Sequence, residues 1–291
     1  MTNDKKTIDT LVEDIYGLFS KGHCSDHMNL EKLGNDIGVA VDKSLRAVLT
    51  ERKHGNLRMS NLGKADRQIW YDIKGEAREV LRPNERIKFL FGDILEALLI
   101  FLVKEAGHEV SQEQAEVEIA GVLGHLDCEI DGVVVDCKSA SPFSFKKFKD
   151  GSLANNDPFG YMQQISGYAE ARGKDEAAFL AIDKQGGHIT TLSVIPMTGT
   201  KERIAHLREV VASDTPPEKC YEDQPDGKSG NMKLGTECSY CAFKKKCWAD
   251  ANDGKGLRTF LYSTGPRFLT KVGKLPDVFE ITGNEVPDEE A

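Results

Sequence analysis

Residues 124–138, Gly-His-Leu-Asp-Cys-Glu-Ile-Asp-Gly-Val-Val-Val-Asp-Cys-Lys, constrain this chain more than any other stretch. Asp131-Gly132 is a dipeptide suited to a two-residue hairpin turn, whose central residues need left-handed backbone. The three valines that follow are β-branched, and an unbroken run of them belongs in a buried strand. A β-hairpin is therefore predicted, with its second strand entering a core. Asp136 and Lys138 are two apart and so share one face of that strand. Asp127, on the partner strand, falls across from them. Two carboxylates beside an ammonium suit a hard divalent cation that holds a phosphate. The alternative is a surface ion pair on an exposed strand, and the valine run argues against it.

A chain of 291 residues, 40% apolar and 29% charged, can bury one substantial core, or one core and a smaller unit. No apolar run reaches the roughly 18–20 residues of a membrane span. The longest, 89–103, is broken by Asp93 and Glu96. The opening Met-Thr-Asn-Asp-Lys-Lys leads into an amphipathic segment without the apolar centre of a secretory signal, so a soluble cytoplasmic protein is expected. The net charge of −9 counts weakly against a nucleic-acid partner. Much of it is local: Asp277, Glu280, Glu285, Asp288, Glu289 and Glu290 lie in 277–291, which holds no base. That tail reads as a solvated, disordered end. A carboxylate site also carries negative charge that its metal ions neutralise.

Helical apolar spacing marks 8–19, 30–49 and a short helix at 67–73. A long helix starts at Pro83 and runs from 84 to about 107. Extended segments follow near 109–119, 121–130 and 133–139, then a polar loop through Asn155 and Asn156. Asp157-Pro158 opens the next helix, to about 172, with the aspartate as N-cap. Strands are predicted at 177–183 and 188–195, and a helix at 201–212. This order implies an α/β core with a mixed sheet. Five parts are read along the chain: an N-terminal helical region (1–56), the core (57–214), a cysteine-rich segment (215–250), an extension (251–276) and the acidic tail (277–291).

Further polar residues fit the opening triad. Glu96 lies among Leu95, Leu98, Leu99 and Ile100, where a carboxylate is costly unless paired or metal-bound. The alternative is an exposed stripe shared with Asp93. Gln164 and Tyr168 are four apart and share one helix face. Glu129 and Asp131 flank the triad as alternates.

Gly-His-x-Asp, Asp-x-Lys and Gln-x-x-x-Tyr, in this order after a helical glutamate, resemble the PD-(D/E)xK nuclease superfamily, in its RecB-like and phage-exonuclease branch. The resemblance covers roughly 57–250, with motifs specific as a set. It implies a restriction-endonuclease-like core. It implies that Asp127 and Asp136, with Glu96 and the Cys137 carbonyl, bind Mg²⁺ or Mn²⁺. Lys138 is then expected to position or activate the attacking water, and Gln164 and Tyr168 to contact the site or the DNA. Many relatives carry histidine on the first helix, where Glu96 stands here. The implied partner is DNA, as linear duplex or single-stranded ends, with a single-strand annealing protein or further copies of the chain beside it. A phage source would place the protein in the host cytoplasm.

Arg58, Ser60, Lys64 and Arg67 cluster before a helix, where such groups can hold a terminal phosphate. This resembles the 5′-phosphate grip of phage exonucleases, and a basic solvated turn is the plain alternative. Phe143, Phe145 and Phe148 alternate with Lys146, Lys147 and Lys149, which suits stacking on single strands with phosphate contact, or an amphipathic lid.

Cys24, Cys128 and Cys137 are isolated. Cys220, Cys238, Cys241 and Cys247 are grouped, with a two-residue gap suited to thiolates on one metal, and Lys244, Lys245 and Lys246 are placed to offset thiolate charge. The ending resembles that of iron–sulfur members of the RecB-like family. Their fourth cysteine lies upstream, in a segment matched here by Ser60 to Arg67 with Ala65 in the cysteine place. Cys220 is the natural substitute, or Cys24. The resemblance favours a [4Fe–4S] cluster, and ligand chemistry alone leaves Zn²⁺ open. Either would staple the C-terminal segment to the core.

The sequence thus reads as a metal-dependent DNA exonuclease of phage or recombination type. The rivals are a CRISPR-adaptation-type or structure-specific endonuclease, and a non-catalytic DNA-binding protein with a structural metal. No P-loop motif is present, so any motor would be another chain.

Overall fold

The computed structural model describes residues 6–20, 29–50, 55–80 and 83–282. Cys24 and the acidic tail beyond residue 282 lie outside the described residues. The chain forms two compact units, Met1–Gly63 with Leu81–Arg208, and Lys64–Val80 with Glu209–Ala291. The division runs through the 57–214 span that the sequence groups as one core.

Seven strands belong to the first unit: β1 (Val110–Ser111), β2 (Glu116–Ile119), β3 (Val122–His125), β4 (Cys128–Ile130), β5 (Val133–Ala140), β6 (Ala177–Asp183) and β7 (Ile189–Val194). Five of them form a mixed sheet in the order β1-β4-β5-β6-β7. Only β5 and β6 run parallel; the other neighbours are antiparallel. A parallel neighbour requires a crossover, and the residues between β5 and β6 supply one. Ala-Ala-Phe-Leu-Ala-Ile-Asp of β6 is buried throughout, as expected of an inner strand.

Among the described residues, seven helices of eight residues or more follow chain order: α1 (Leu11–Ser20), α2 (Leu30–Leu49), α3 (Asp66–Ile73), α4 (Pro83–Glu105), α5 (Pro142–Lys149), α6 (Tyr161–Arg172) and α7 (Thr200–Ala212). Leu11 and Ile15 of α1, with Leu99, Phe101 and Val103 of α4, close one face of the sheet over Cys128, Ile130, Val135 and Leu180. The α/β class and mixed central sheet flanked by helices are as predicted.

Several local readings need correction. The three extended segments are five strands: Gln112 and Gln114 adopt positive φ between β1 and β2, and Leu126 and Asp127 separate β3 from β4. β2 and β3 pair with each other as a separate two-stranded sheet, and Arg58 adds a single parallel bridge to Leu123 of β3. A helix, α5, stands where the polar loop was expected to begin. Ser141 caps it by accepting from the Ser144 N–H, and Pro142 occupies its first turn. Phe145 and Phe148 face inward, so the aromatic–lysine alternation is the two sides of this helix. α6 begins at Tyr161 rather than at Asp157-Pro158. Gly160, at φ 74°, precedes it, and the Asp157 carboxylate reaches the Met162 N–H at 2.8 Å from outside the helix.

The second unit has its own antiparallel sheet of β8 (Gln224–Pro225), β9 (Met232–Lys233), β10 (Arg258–Tyr262), β11 (Gly265–Lys271) and β12 (Glu280–Ile281), ordered β12-β10-β11-β9-β8. β12 lies within the tail expected to be disordered. Arg258 of β10 fixes it by gripping the Glu280 carboxylate with two bonds of 2.7 and 2.6 Å. Trp70 and Tyr71 of α3 pack on Phe243, and Leu234 packs on Trp248 and Ala251. Among the described residues, no helix is long and apolar enough to cross a membrane.

Candidate active site

The β4–β5 hairpin pairs Ile130 with Val133, Glu129 with Val134 and Cys128 with Val135. Asp131 and Gly132 turn it with φ of 51° and 85°, the left-handed pair such a turn needs. Asp127 sits one residue ahead of β4 rather than within the strand, and its Oδ2 accepts from the Cys137 N–H at 2.7 Å. In an extended strand one residue's N–H and C=O point to the same edge, so the Cys137 carbonyl faces the side of Asp127. The Cys137 thiol points the other way, into the core with Cys128.

Asp136 is 2% exposed and forms an ion pair with Lys138. The Lys138 ammonium also lies 4.7 Å from the centroid of the Tyr161 ring. Asp136 holds Lys138 well above the ordinary lysine range against the opposing effect of burial. The Asp136 oxygen that faces Lys138, Oδ2, is itself buried, so the pair is shielded from solvent.

Glu96 reaches the same place from α4. One turn earlier Gly92 lies against β5, where a Cβ would stand 3.7 Å from Ser139 Oγ. Burial, then Asp93 and Asp136, push the Glu96 carboxyl up to about 7. Burial, then Asp136 and Glu96, push Asp127 well above the usual carboxylate range. The three carboxylates therefore share one field with Lys138. Gln164 donates to the Tyr168 hydroxyl at 3.2 Å. Burial pushes that hydroxyl up to about 12, and Asp136, Asp127 and Lys138 all act on it. The alternates are occupied elsewhere: Glu129 binds Arg172 at 2.7 Å, and Asp131 faces His108 at 2.7 Å.

Gln114 is a neighbour that sequence reasoning missed. Its amide donates to Glu96 at 2.8 Å and accepts from Lys43 at 2.9 Å. Nothing in the local pattern marks it, because its partners are 18 and 71 residues away.

No group of three or more His, Cys, Asp or Glu side chains among the described residues is arranged to hold a metal ion. Asp127 is held by Cys137, Asp136 by Lys138 and Glu96 by Gln114. The donor set still suits a hard divalent cation. It is all oxygen and mutually repelling, and burial raises the cost of its charge, which a cation would offset.

The expected substrate residues are divided. Exposed Arg58 precedes, and exposed Ser60 lies within, a 3₁₀ turn (Met59–Asn61) whose following Gly63 abuts Gly160, where a Cβ would come within 2.3 Å of the Gly160 oxygen. They thus stand by the start of α6, the helix of Gln164 and Tyr168. Arg67 belongs to the second unit and donates to the Pro217 carbonyl at 2.6 Å. On α5, Lys146 pairs with Asp150 at 2.7 Å and Lys147 donates to the Asn156 side chain at 2.8 Å, beside an exposed Phe143.

In the second unit Cys220, Cys238, Cys241 and Cys247 line one pocket with Ala65, Arg67 and Trp248. All four are free thiols. Burial raises Cys238 to about 11 and also raises Cys241 and Cys247, while Arg67 and Lys219 oppose the rise at Cys247. Trp248 Nε1 is buried without a hydrogen-bond partner among the described residues. Of the lysines expected to offset thiolate charge, Lys244 pairs with Glu79 at 2.8 Å and also opposes the rise at Cys241, while Lys246 pairs with Glu76.

No family model matches the chain, and no curated protein matches it. Matching solved structures include the protein designated SSO0001, with TM-score 0.43 and 15% identity over 71% of this chain and 93% of that one. An alkaline exonuclease from Laribacter hongkongensis matches with TM-score 0.38 and 16% identity over 59% and 89%. A phage-related exonuclease from Haemophilus somnus 129PT matches with TM-score 0.37 and 18% identity over 55% and 92%.

Proposed function

We propose that this chain is a metal-dependent deoxyribonuclease that hydrolyses DNA phosphodiester bonds from an end, at the edge of β5. The observation that carries the reading is the gathering of three carboxyls, Asp136, Asp127 and Glu96, in one buried field with the Lys138 ammonium, which pairs with Asp136. Glu96, Asp127, Asp136 and the Cys137 carbonyl would hold Mg²⁺ or Mn²⁺. Such an ion supplies Lewis acidity to the phosphoryl group and to its attacking and leaving oxygens. Lys138 orients the attacking water through an N–H donor and offsets charge that develops on the phosphoryl oxygens. The water oxygen bonds to phosphorus, the bond to the leaving sugar oxygen breaks, and a proton ends on that oxygen. Gln164 and Tyr168, tied to one another, present polar hydrogens toward the same field. Arg58 and Ser60 would take the terminal phosphate, and Lys146, Lys147 and Phe143 the emerging strand.

The purified protein with Mg²⁺ is expected to degrade linear duplex DNA and to spare a nicked circle. Lys138→Ala is expected to lower the rate by about 10²–10³-fold or more, the scale seen when one preorganised donor is removed. Equal rates for wild type and variant would refute the reading. Cleavage of the circle would favour the endonuclease alternative.

The cysteine pocket would hold a [4Fe–4S] cluster, as the sequence resemblance implies, with Zn²⁺ as the alternative. What supports a resident metal is the convergence of four thiols, Cys220 among them, on one pocket that also exposes Ala65. The thiols supply soft ligands, and Arg67 opposes the rise at Cys247 and so would offset thiolate charge. Iron and acid-labile sulfide in anaerobically purified protein would establish the cluster, and one equivalent of zinc the alternative.

A further inference from the structure

Gln114 belongs to none of the motifs, yet it connects two of the three carboxylate-bearing residues. Its backbone N–H donates to the Asp127 carbonyl at 3.0 Å. Its side-chain nitrogen donates to Glu96 Oε1 at 2.8 Å, and its side-chain oxygen accepts from Lys43 Nζ at 2.9 Å. Lys43 fixes the polarity of the amide, because an ammonium can only donate, which leaves the amide nitrogen to face Glu96. The backbone at Gln114 is left-handed, with φ 51°, a conformation that glycine and asparagine adopt more readily. A residue kept in such a conformation persists when its surroundings over-determine it, and these residues collect at functional sites. The surroundings here are α4 through Glu96, α2 through Lys43, and the residue just before β4 through Asp127.

We propose that Gln114 is a positioning residue that sets the orientation of Glu96 relative to Asp127 for a divalent cation. The inference rests on the metal-site reading given above. Three carboxylates in one field repel each other, and Glu96 stands on a helix, free to rotate its side chain away from the pair at β5. A neutral amide donor restrains it without cancelling the charge a cation needs. A lysine in the same place would restrain it and also compete with the cation. Groups that orient metal ligands commonly matter about 10–100-fold in metal affinity.

Gln114→Gly tests this directly, since it removes the amide and relieves the left-handed backbone together. The metal-free variant is expected to melt no lower than wild type, while its dissociation constant for Mn²⁺, read by calorimetry, rises about 10–100-fold. Gln114→Asn keeps an amide and tolerates the backbone but is one methylene short, and it should weaken Mn²⁺ binding likewise. Asp136→Asn serves as the control for the underlying site. If Asp136→Asn loses Mn²⁺ binding while Gln114→Gly binds as wild type does, the role of Gln114 is overturned and the metal site stands. If Asp136→Asn binds Mn²⁺ as wild type does, the metal site itself is overturned, and Gln114 has no ligand to position.

Discussion

A single methyl group at residue 124 would decide whether Tyr168 can occupy its place. A Cβ there would lie 2.7 Å from Tyr168 Cε1 and 2.8 Å from Met59 Cβ. The glycine of Gly-His-x-Asp is thus a matter of space, since its own φ is not in the left-handed region. Gly124→Ala is expected to cost about 1–3 kcal/mol in urea unfolding, the usual range for overpacking. Unchanged stability would mean that Tyr168 moves aside freely. Glu96 gives a pH prediction. Its carboxyl rises from 4.5 to about 7 in the folded protein, so its uncharged form is favoured there. Its contribution to the stability of metal-free protein is present below about pH 4.5 and is lost as the pH rises through about 7. A cation needs the charged form, so the rise in melting temperature on adding Mg²⁺ should be larger at about pH 8 than at about pH 5.5. An equal increment at both would contradict this. Asp127, Asp136 and Lys138 were legible because a turn and a period of two place them locally. Gln114 and Lys43 were not, since only the packing of α2 and α4 brings them to Glu96.

Elements hold the site through ties that the sequence does not announce. The buried His108 faces Asp131 of the β4–β5 turn at 2.7 Å and Asp14 of α1 at 3.1 Å. One side chain thus joins the hairpin of the site to the N-terminal helix. Among the described residues, His108→Ala would leave the partly buried Asp131 carboxylate with the Glu109 N–H, 3.1 Å from its Oδ1. A loss of about 2–4 kcal/mol is expected in denaturant unfolding, as for other broken buried polar ties. A change under about 0.5 kcal/mol, typical of surface substitutions, would show that the tie carries little. The helices α1, α2, α4 and α7 and the strands β5, β6 and β7 were legible from apolar periodicity. α5 was not, because Phe-Ser-Phe-Lys-Lys-Phe-Lys is short and its inward phenylalanines read equally well as a basic aromatic loop. β12 was hidden in an acidic tail, since the pairing of Arg258 with Glu280 spans 22 residues.

At the scale of the molecule, each of the two units has its own sheet and its own core. The strands of the second are short, and β8, β9 and β12 hold two residues each, so little stabilisation comes from its ladder alone. A metal held by its four cysteines would supply folding energy to that unit. Cys238→Ser together with Cys241→Ser is therefore expected to remove hydrogen-exchange protection from β10 and β11 while β5 and β6 stay protected. Uniform loss across both sheets, or no loss, would count against a stapling role. The sequence by itself determined the α/β class, the β4–β5 hairpin and the shared face of Asp136 and Lys138. Each of these follows from local turn chemistry and side-chain period. Tertiary structure alone decided that Arg67 lines the pocket of the cysteines, that Gln114 holds Glu96, and that Ala65 and Cys220 meet at that pocket. These depend on contacts across long stretches of chain, which burial and hydrogen bonding select and no local pattern records.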